Sequence, residues 1–270
     1  VHQATVRVPN GSTHGWRYRI LLRGDAHHDN PHTDHDLERK HLDECLANGW
    51  AWMDVGDLFC AMGGKYDPRS CKRDTIRPEH AVAKDYLDSL VRHAADFYRP
   101  YVGSCIVIGK GNHETGIEKR HETCLNTRLC ERLDAPHLSG GYGGWVHLVL
   151  ERYGGQRNAI KIKYFHGSGG GGIMSMDTLR TRRIASWVPD ADVVVCGHVH
   201  EQWWAKVNRE RLRTEKGRYC VDEYADGFDG FHVERGGPPK PVGAIWMNIT
   251  ARNNRDGKPK LLGVSFEEAS

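Results

Sequence analysis

Apolar residues fall along this chain in short runs, and several of those runs stop at a carboxylate, an imidazole or an amide. Arg17 to Arg23 (Arg-Tyr-Arg-Ile-Leu-Leu-Arg) reads as a first strand, Ala51 to Val55 as a second and Cys105 to Ile108 as a third. Between the first two, Asp34 to Asn48 puts Leu37, His41, Leu42, Cys45 and Leu46 near one helical face, with Gly49 as a stop. The clearest helix is Glu79 to Tyr98, where Ala81, Val82, Tyr86, Leu87, Leu90, Val91, Ala94 and Ala95 form a stripe. Pro78 stands at its start and Pro100 beyond its end. A helix over Lys119 to Leu133 follows, then strands at Trp145 to Glu151 and Ala159 to Phe165 about a turn at Gly154-Gly155. Met176 to Trp187 reads as helix and Asp192 to Cys196 as strand. Strand-like pieces recur near Trp203 to Val207, Val242 to Thr250 and Leu261 to Phe266. Strands alternating with helices indicate an α/β fold with β-rich additions late in the chain.

Five segments at the ends of these runs carry chemistry: Asp25-Ala26-His27, Gly56-Asp57, Gly111-Asn112-His113-Glu114, His166 and Gly197-His198-Val199-His200. Imidazole mixed with carboxylate oxygen suits Mn, Fe, Zn or Ni, whereas an all-oxygen set would favour Mg or Ca. Asp25 and His27 lie two apart, which puts both side chains on one side of a chain leaving a strand; His198 and His200 repeat that spacing. Each pair is able to grip one cation. Asp57, with two oxygens, is the natural ligand shared between two ions roughly 3.5–4 Å apart. The chain holds 17 histidines, so either pair alone would be ordinary surface chemistry. The ordered set of five is what matters.

In that order the blocks resemble the calcineurin-like metallophosphoesterases, whose pattern runs D-x-H, GD, GNH(D/E), H, GHxH. The resemblance spans Asp25 to His200 and implies an αββα sandwich, two β-sheets flanked by helices, with the site at strand ends. It implies one ion on Asp25, His27, Asp57 and His200, and a second on Asp57, Asn112, His166 and His198. His113 is then catalytic and not a ligand, Asp57 joins the two ions, and Glu114 orients His113 or a ligand by a hydrogen bond. One departure is visible. Many members carry Asp or Asn three residues after the Asp of GD, and here Cys60 stands there.

Length and composition narrow the rest. A chain of 270 residues whose ligands span Asp25 to His200 favours a single domain over 1–270. Val1 to Trp16 is polar, lacks an initiating Met and a hydrophobic signal core, and reads as a trimmed start, a disordered or accessory segment. Charged residues at 27% against 39% hydrophobic, with no apolar run of membrane-spanning length, place the protein in the cytoplasm and off the membrane. The eight cysteines include no C-x-x-C pair, which argues against a zinc ribbon and for buried free thiols. A net charge of +3 permits anionic substrates without demanding them.

Two basic stretches, Lys65 to Arg77 and Lys206 to Arg218, follow metal-bearing blocks directly and border the expected mouth of the site. Solvated loop charge is their default explanation. Read functionally, Arg69, Lys72, Arg73, Arg211 and Arg213 contact substrate, His28 approaches it, and Trp203 and Trp204 stack on bases. Half-buried strand positions explain the tryptophans equally well. Ser168 to Gly172 offers backbone N–H groups to a phosphate or is simply a loop. The expectation is a hydrolase with two divalent ions, Mn first with Fe, Zn or Ni as alternatives, acting as a phosphodiesterase or nuclease on DNA, RNA or nucleotides. A small-molecule phosphomonoesterase is the alternative. A Ser/Thr protein phosphatase ranks third, because Asp25-Ala26-His27-His28 and Gly56-Asp57-Leu58-Phe59-Cys60-Ala61 depart from D-x-H-G and G-D-x-V-D-R-G. A non-catalytic metal scaffold would be favoured only by a missing ligand or His113, and none is missing.

Overall fold

Strand β2 (Arg17–Arg23) is buried on both faces along its apolar run, and this sets the layering. Ile20 and Leu22 point to one side, where they meet Val146, Leu148, Ile160, Ile162 and Val195 of a second sheet. Leu21 points to the other, against Leu42, Leu90, Ala94 and Leu129 of the helices. A computed structural model describes residues 1–9, 16–61, 76–152, 155, 157–169, 184–200, 204, 243–253 and 259–269. Its remaining elements, in chain order, are β1 (His2–Arg7), α1 (His35–Asn48), β3 (Ala51–Asp54), α2 (Pro78–Ala81), α3 (Tyr86–Tyr98), β4 (Cys105–Ile108), α4 (Asn112–His121), α5 (Leu125–Arg132), β5 (Gly143–Glu151), β6 (Arg157–Phe165), β7 (Val193–Cys196), β8 (Ala244–Asn253) and β9 (Pro259–Ala269). One sheet runs β1-β5-β6-β7 and the other β4-β3-β2-β8-β9. This is the mixed α/β, two-sheet architecture expected of the chain. No helix among the described residues is long and apolar enough to cross a membrane.

The elements mostly begin and end where local chemistry says they should. Asp34 caps α1 by accepting the Leu37 N–H at 2.9 Å, and Gly49, at φ 64°, closes it by donating to Cys45 and Leu46 carbonyls. Three expectations need correcting. The single helix over Glu79 to Tyr98 is two, α2 and α3, and Val82 of the supposed stripe is 83% exposed. A tertiary contact overrides the periodicity: His80 Nδ1 meets Ser89 Oγ at 2.7 Å, turning α2 back on α3. The helix over Lys119 to Leu133 is likewise split into α4 and α5 at Glu122, whose φ is 52°. Within the N-terminal segment read as disordered or accessory, His2–Arg7 forms edge strand β1, parallel to β5. The expected helix at Met176 to Trp187 and strand at Trp203 to Val207 lie largely outside the described residues.

One buried charge binds the layers at the site end. Arg23, the last residue of β2, has no solvent exposure. Its Nε donates to Asp54 Oδ2 at 2.8 Å, one terminal nitrogen to Glu38 of α1, and the other to the Tyr98 hydroxyl of α3 at 2.9 Å. The guanidinium also lies 4.9 Å from the ring centroids of Trp52 and Tyr98. Burial alone would raise Glu38, but Arg23, His28 and the Tyr98 hydroxyl together outweigh burial and bring its carboxyl from an ordinary 4.5 down to about 2.

The stability contributed by Glu38 ionisation is therefore complete above about pH 4.5 and is lost as pH falls toward 2. Glu38→Ala, which strands Arg23 in the interior, should cost about 3–5 kcal/mol in urea unfolding at pH 7. Glu38→Gln should flatten the fall in stability between pH 4.5 and 2. A loss below about 1 kcal/mol for the alanine variant would show that Arg23 does not depend on Glu38.

Candidate metal centre

All five ligand-bearing segments leave the C-terminal ends of strands: Asp25 after β2, Asp57 after β3, Asn112 after β4, His166 after β6 and His198 after β7. The backbone there is unusual. Asp25 (φ 52°), His27 (44°), Asp57 (53°), His198 (84°) and His200 (54°) all occupy the left-handed region, which costs a non-glycine residue of order 1–3 kcal/mol each. Cross-loop hydrogen bonds impose it. Asp25 N–H donates to Gly56 O at 2.8 Å, His27 N–H to Asp57 O at 3.0 Å, and Gly197 N–H to His166 O at 2.9 Å. Two close approaches require glycine: a Cβ at Gly111 would lie 2.0 Å from Asp57 Oδ1, and one at Gly197 would lie 2.5 Å from Asp25 Oδ2.

The result is two adjoining donor sets. Donor atoms of Asp25, His27 and His200 all lie within 4.8 Å of one another, as do those of Asp57, His166 and His198. His166 Nε2 links them, 3.1 Å from Asp57 Oδ2, 3.1 Å from Asn112 Oδ1 and 3.8 Å from Asp25 Oδ1. His200 Nε2 stands 3.9 Å from Asp25 Oδ1. Asp25 also accepts the His198 N–H on Oδ2 at 2.7 Å, and Asp57 accepts the His113 N–H on Oδ1 at 2.8 Å. The seven ligand-type residues expected from the sequence are thus brought together.

Protonation states match a ligand role. Burial first, then the neighbouring His113, drives the His27 pKa well below 6.5; burial and His166 lower that of His198. Burial would raise Asp57, but His166 and His113 outweigh it and hold the carboxyl ionised. Neutral imidazole and charged carboxylate are the forms a cation binds. Buried His27 Nδ1 and His166 Nδ1 have no hydrogen-bond partner among the described residues. A mixed set of two carboxylates, four imidazoles and one amide oxygen fits a borderline divalent ion such as Mn, Fe, Zn or Ni.

His113 sits half-buried beside this set. Its Nδ1 meets the Cys60 carbonyl at 2.6 Å, which requires a proton on Nδ1, and Nε2 stands 3.8 Å from Asp57 Oδ2. Glu114 contacts backbone instead of the His113 ring: Oε2 accepts Gly111 N–H (2.8 Å) and Asp57 N–H (3.2 Å), and Oε1 accepts Phe59 N–H (2.8 Å). One buried carboxylate so ties the second block to the third. His28, expected to approach substrate, does not: it is 1% exposed, stacked on His35 with ring centroids 4.3 Å apart and packed against Phe97, with Nδ1 3.6 Å from Glu38 Oε2. Following His27 in a chain that turns back into the body, it points to the core. Arg69, Lys72, Arg73, Arg211 and Arg213 lie outside the described residues, as does Trp203. Arg77 is described, and it braces the first loop through the Asn30 and Thr33 carbonyls.

Sequence reasoning singles out neither Tyr142 nor Asp29. Tyr142 packs edge-on to His166 at 5.4 Å and donates its hydroxyl proton to Gly167 O at 2.6 Å. Asp29 accepts the N–H groups of Cys60 (2.6 Å) and Ala61 (2.8 Å), fixing the chain after Asp57. Only its place two residues beyond His27 hinted at this.

No family model matches the chain, and no curated protein matches it. Similar solved structures include Chaetomium thermophilum Vps29 (12% identity, TM-score 0.37, covering 94% of this chain and 98% of that one). They also include the calcineurin-like phosphoesterase YfkN from Bacillus subtilis (13%, 0.36, 94% and 91%) and GAP50, the anchor in the inner membrane complex of Plasmodium (10%, 0.41, 92% and 88%).

Glu114→Gln keeps the volume but replaces one acceptor oxygen with a donor. It should cost about 1–3 kcal/mol in urea unfolding and weaken Mn binding roughly 10–100-fold in calorimetric titration. Unchanged metal affinity would refute Glu114 as the tie between the two loops.

Proposed function

We propose that this protein is a phosphoester hydrolase that works with two divalent metal ions. The observation that carries the reading is the position of Asp57, whose carboxylate groups with His166 and His198, shares His166 Nε2 with Asp25 of the other donor set and lies 3.8 Å from His113 Nε2. Asp25, His27, Asp57 and His200 would hold one ion, and Asp57, Asn112, His166 and His198 the other. Bound there, the ions would lower the pKa of a water and neutralise charge on phosphoryl oxygens. The chain's own residues do the rest. Asp57, kept ionised, fixes the separation of the two donor sets. Glu114 and Asp29 hold the loops that carry Asp57 and Cys60, so the Cys60 carbonyl fixes the His113 ring and its Nδ1 proton. A second proton, on Nε2, is then free to pass to the departing oxygen. Half-buried His198, His200, Asn112 and His113 leave this side of the site open to solvent, while Asp25, Asp57 and His166 are closed off.

For substrate we favour phosphodiesters of nucleic acid or nucleotides. Support comes from the basic stretches that follow the second and fifth blocks, with Arg69, Lys72, Arg73, Arg211 and Arg213 as the candidate phosphate contacts.

Metal analysis of Mn-saturated protein should find two ions per chain, and chelation should abolish turnover until Mn is returned. His113→Gln should keep both ions yet lower kcat roughly 10²–10⁴-fold on a substrate with a poor leaving group, whereas Asp57→Asn should fail to load metal. One ion per chain at saturation, or an emptied site in His113→Gln, would sink the assignment.

On single-stranded substrates the affinity should fall with salt at a log–log slope of about −0.7 per phosphate contacted. Replacing Arg69, Lys72, Arg211 and Arg213 with Ala should raise KM for DNA or RNA and flatten that slope while sparing a small diester. Equal losses on both substrates, or no cleavage of nucleic acid at low salt, would point to a small-molecule monoester.

A further inference from the structure

Cys60 occupies the position three residues after Asp57, and its sulfur lies within 4.8 Å of donor nitrogens of both His27 and His113. We propose that Cys60 is a metal-ligating side chain, forming with His27 and His113 a position for a thiophilic divalent ion at the edge of the metal centre. The proposal rests on the metal-centre reading above and adds a ligand, and a metal preference, to it.

The residue is held at many points. Its N–H donates to Asp29 Oδ1 at 2.6 Å, its carbonyl accepts from His113 Nδ1 at 2.6 Å, and its Sγ accepts from Asn30 Nδ2 at 3.8 Å. The next residue, Ala61, is locked at φ 49° by its own bond to Asp29 Oδ2. The backbone of Cys60 is thereby fixed, with its sulfur toward His27 and His113. With Nδ1 of His113 committed to the carbonyl, Nε2 is the nitrogen left to meet an ion. His27 brings a second imidazole, 4.8 Å from that of His113 between ring centroids, and has a buried Nδ1 without a hydrogen-bond partner among the described residues. Two imidazoles and a thiolate suit Zn²⁺ or Co²⁺, while Mn²⁺ keeps to oxygen and nitrogen. On binding, the thiol proton passes to solvent as the sulfur–metal bond forms, and no oxidant is involved. An ion seated there takes His27 from the first donor set and engages His113 Nε2, the atom assigned to proton transfer. Excess Zn²⁺ should therefore suppress turnover supported by Mn²⁺.

Cobalt titration of the metal-free full chain tests the ligand directly. The unaltered protein should show a near-ultraviolet sulfur-to-cobalt charge-transfer band that is absent in Cys60→Ser and in Cys60→Ala, with visible ligand-field bands kept in all three. Visible bands without the ultraviolet band in the unaltered protein, or an ultraviolet band surviving both substitutions, would overturn the proposal but leave the metal centre standing. No cobalt uptake by any of them would overturn the metal centre and this ligand together. A readout free of any variant is the X-ray absorption spectrum of the zinc-loaded unaltered protein, in which sulfur should appear at about 2.3 Å; a shell of nitrogen and oxygen alone refutes it. In Mn-supported assays the half-inhibitory Zn²⁺ concentration should rise about tenfold or more in Cys60→Ser, the scale on which losing a supporting contact weakens metal binding. Equal zinc inhibition in both would refute capture of His113.

Discussion

The Arg23 guanidinium is the constraint on which the site's geometry depends. It is a full charge with no solvent exposure, met by Asp54, Glu38 and Tyr98 and lying 4.9 Å from the ring centroids of Trp52 and Tyr98. Removing such a group from water costs several kcal/mol, and its ion pairs roughly return that amount, so net stability is a poor explanation of it. What the arrangement fixes is direction. Each of its partners comes from a different element, β3, α1 or α3, and each must arrive at one point for the charge to be satisfied. Asp25 follows Arg23 by two residues, and Asp54 precedes Asp57 by three while its other oxygen accepts the Gly56 N–H at 2.9 Å. The two carboxylates of the metal centre thus hang from the two ends of one buried ion pair.

From that anchor the loops are forced into conformations that they would not adopt alone. Five ligand-type residues at positive φ represent several kcal/mol of local strain, distributed over three loops. The compensation is visible as backbone bonds between loops: the first runs along the second, the fifth against the fourth, and Glu114 gathers the N–H groups of the second and third. Buried N–H donors in such turns have no sheet or helix partner, and a carboxylate that accepts three of them removes the penalty for all three. Crowded like charges supply the opposite force. Asp25 and Asp57 are buried and share His166 Nε2, at 3.8 and 3.1 Å, and a divalent ion is the species that would relieve them, while burial and the neighbouring Asp57 raise the Glu114 pKa well above the ordinary carboxylate range.

Much of this was legible in the chain because ligands were spelled at the ends of apolar runs. β2 and β4 have the boundaries their apolar residues indicate, and the seven ligand-type residues converge as their order implied. What was not legible was settled by contacts between distant residues. Strand β1 is mostly polar, with Val6 alone of its six residues fully buried, so its pattern carries no strand signal; pairing with β5 makes it one. The breaks after Ala81 and His121 follow from a His80–Ser89 bond and a left-handed Glu122, neither implied by an apolar stripe. Adjacency to His27 suggests a place near substrate for His28, and the fold gives it none. Residue alternation in a turning chain sends it the other way, into a pocket of Phe97, Tyr98 and His35.

The exposure gradient across the centre gives the approach of a substrate a direction. Asp25, Asp57 and His166 form a closed floor, and His166 is pinned from behind by Tyr142. The half-buried His198 and His200 come from the end of β7, and Asn112 and His113 from the start of α4, so the opening lies between those two elements. His113 and Cys60 sit together at the α4 side of it, joined by the ring-to-carbonyl bond. The group assigned to move a proton is therefore positioned by the backbone of the residue whose side chain is the softest donor in reach. A substitution at position 60 that spares the backbone separates these two roles, because the carbonyl that orients His113 is common to every amino acid and the sulfur is not.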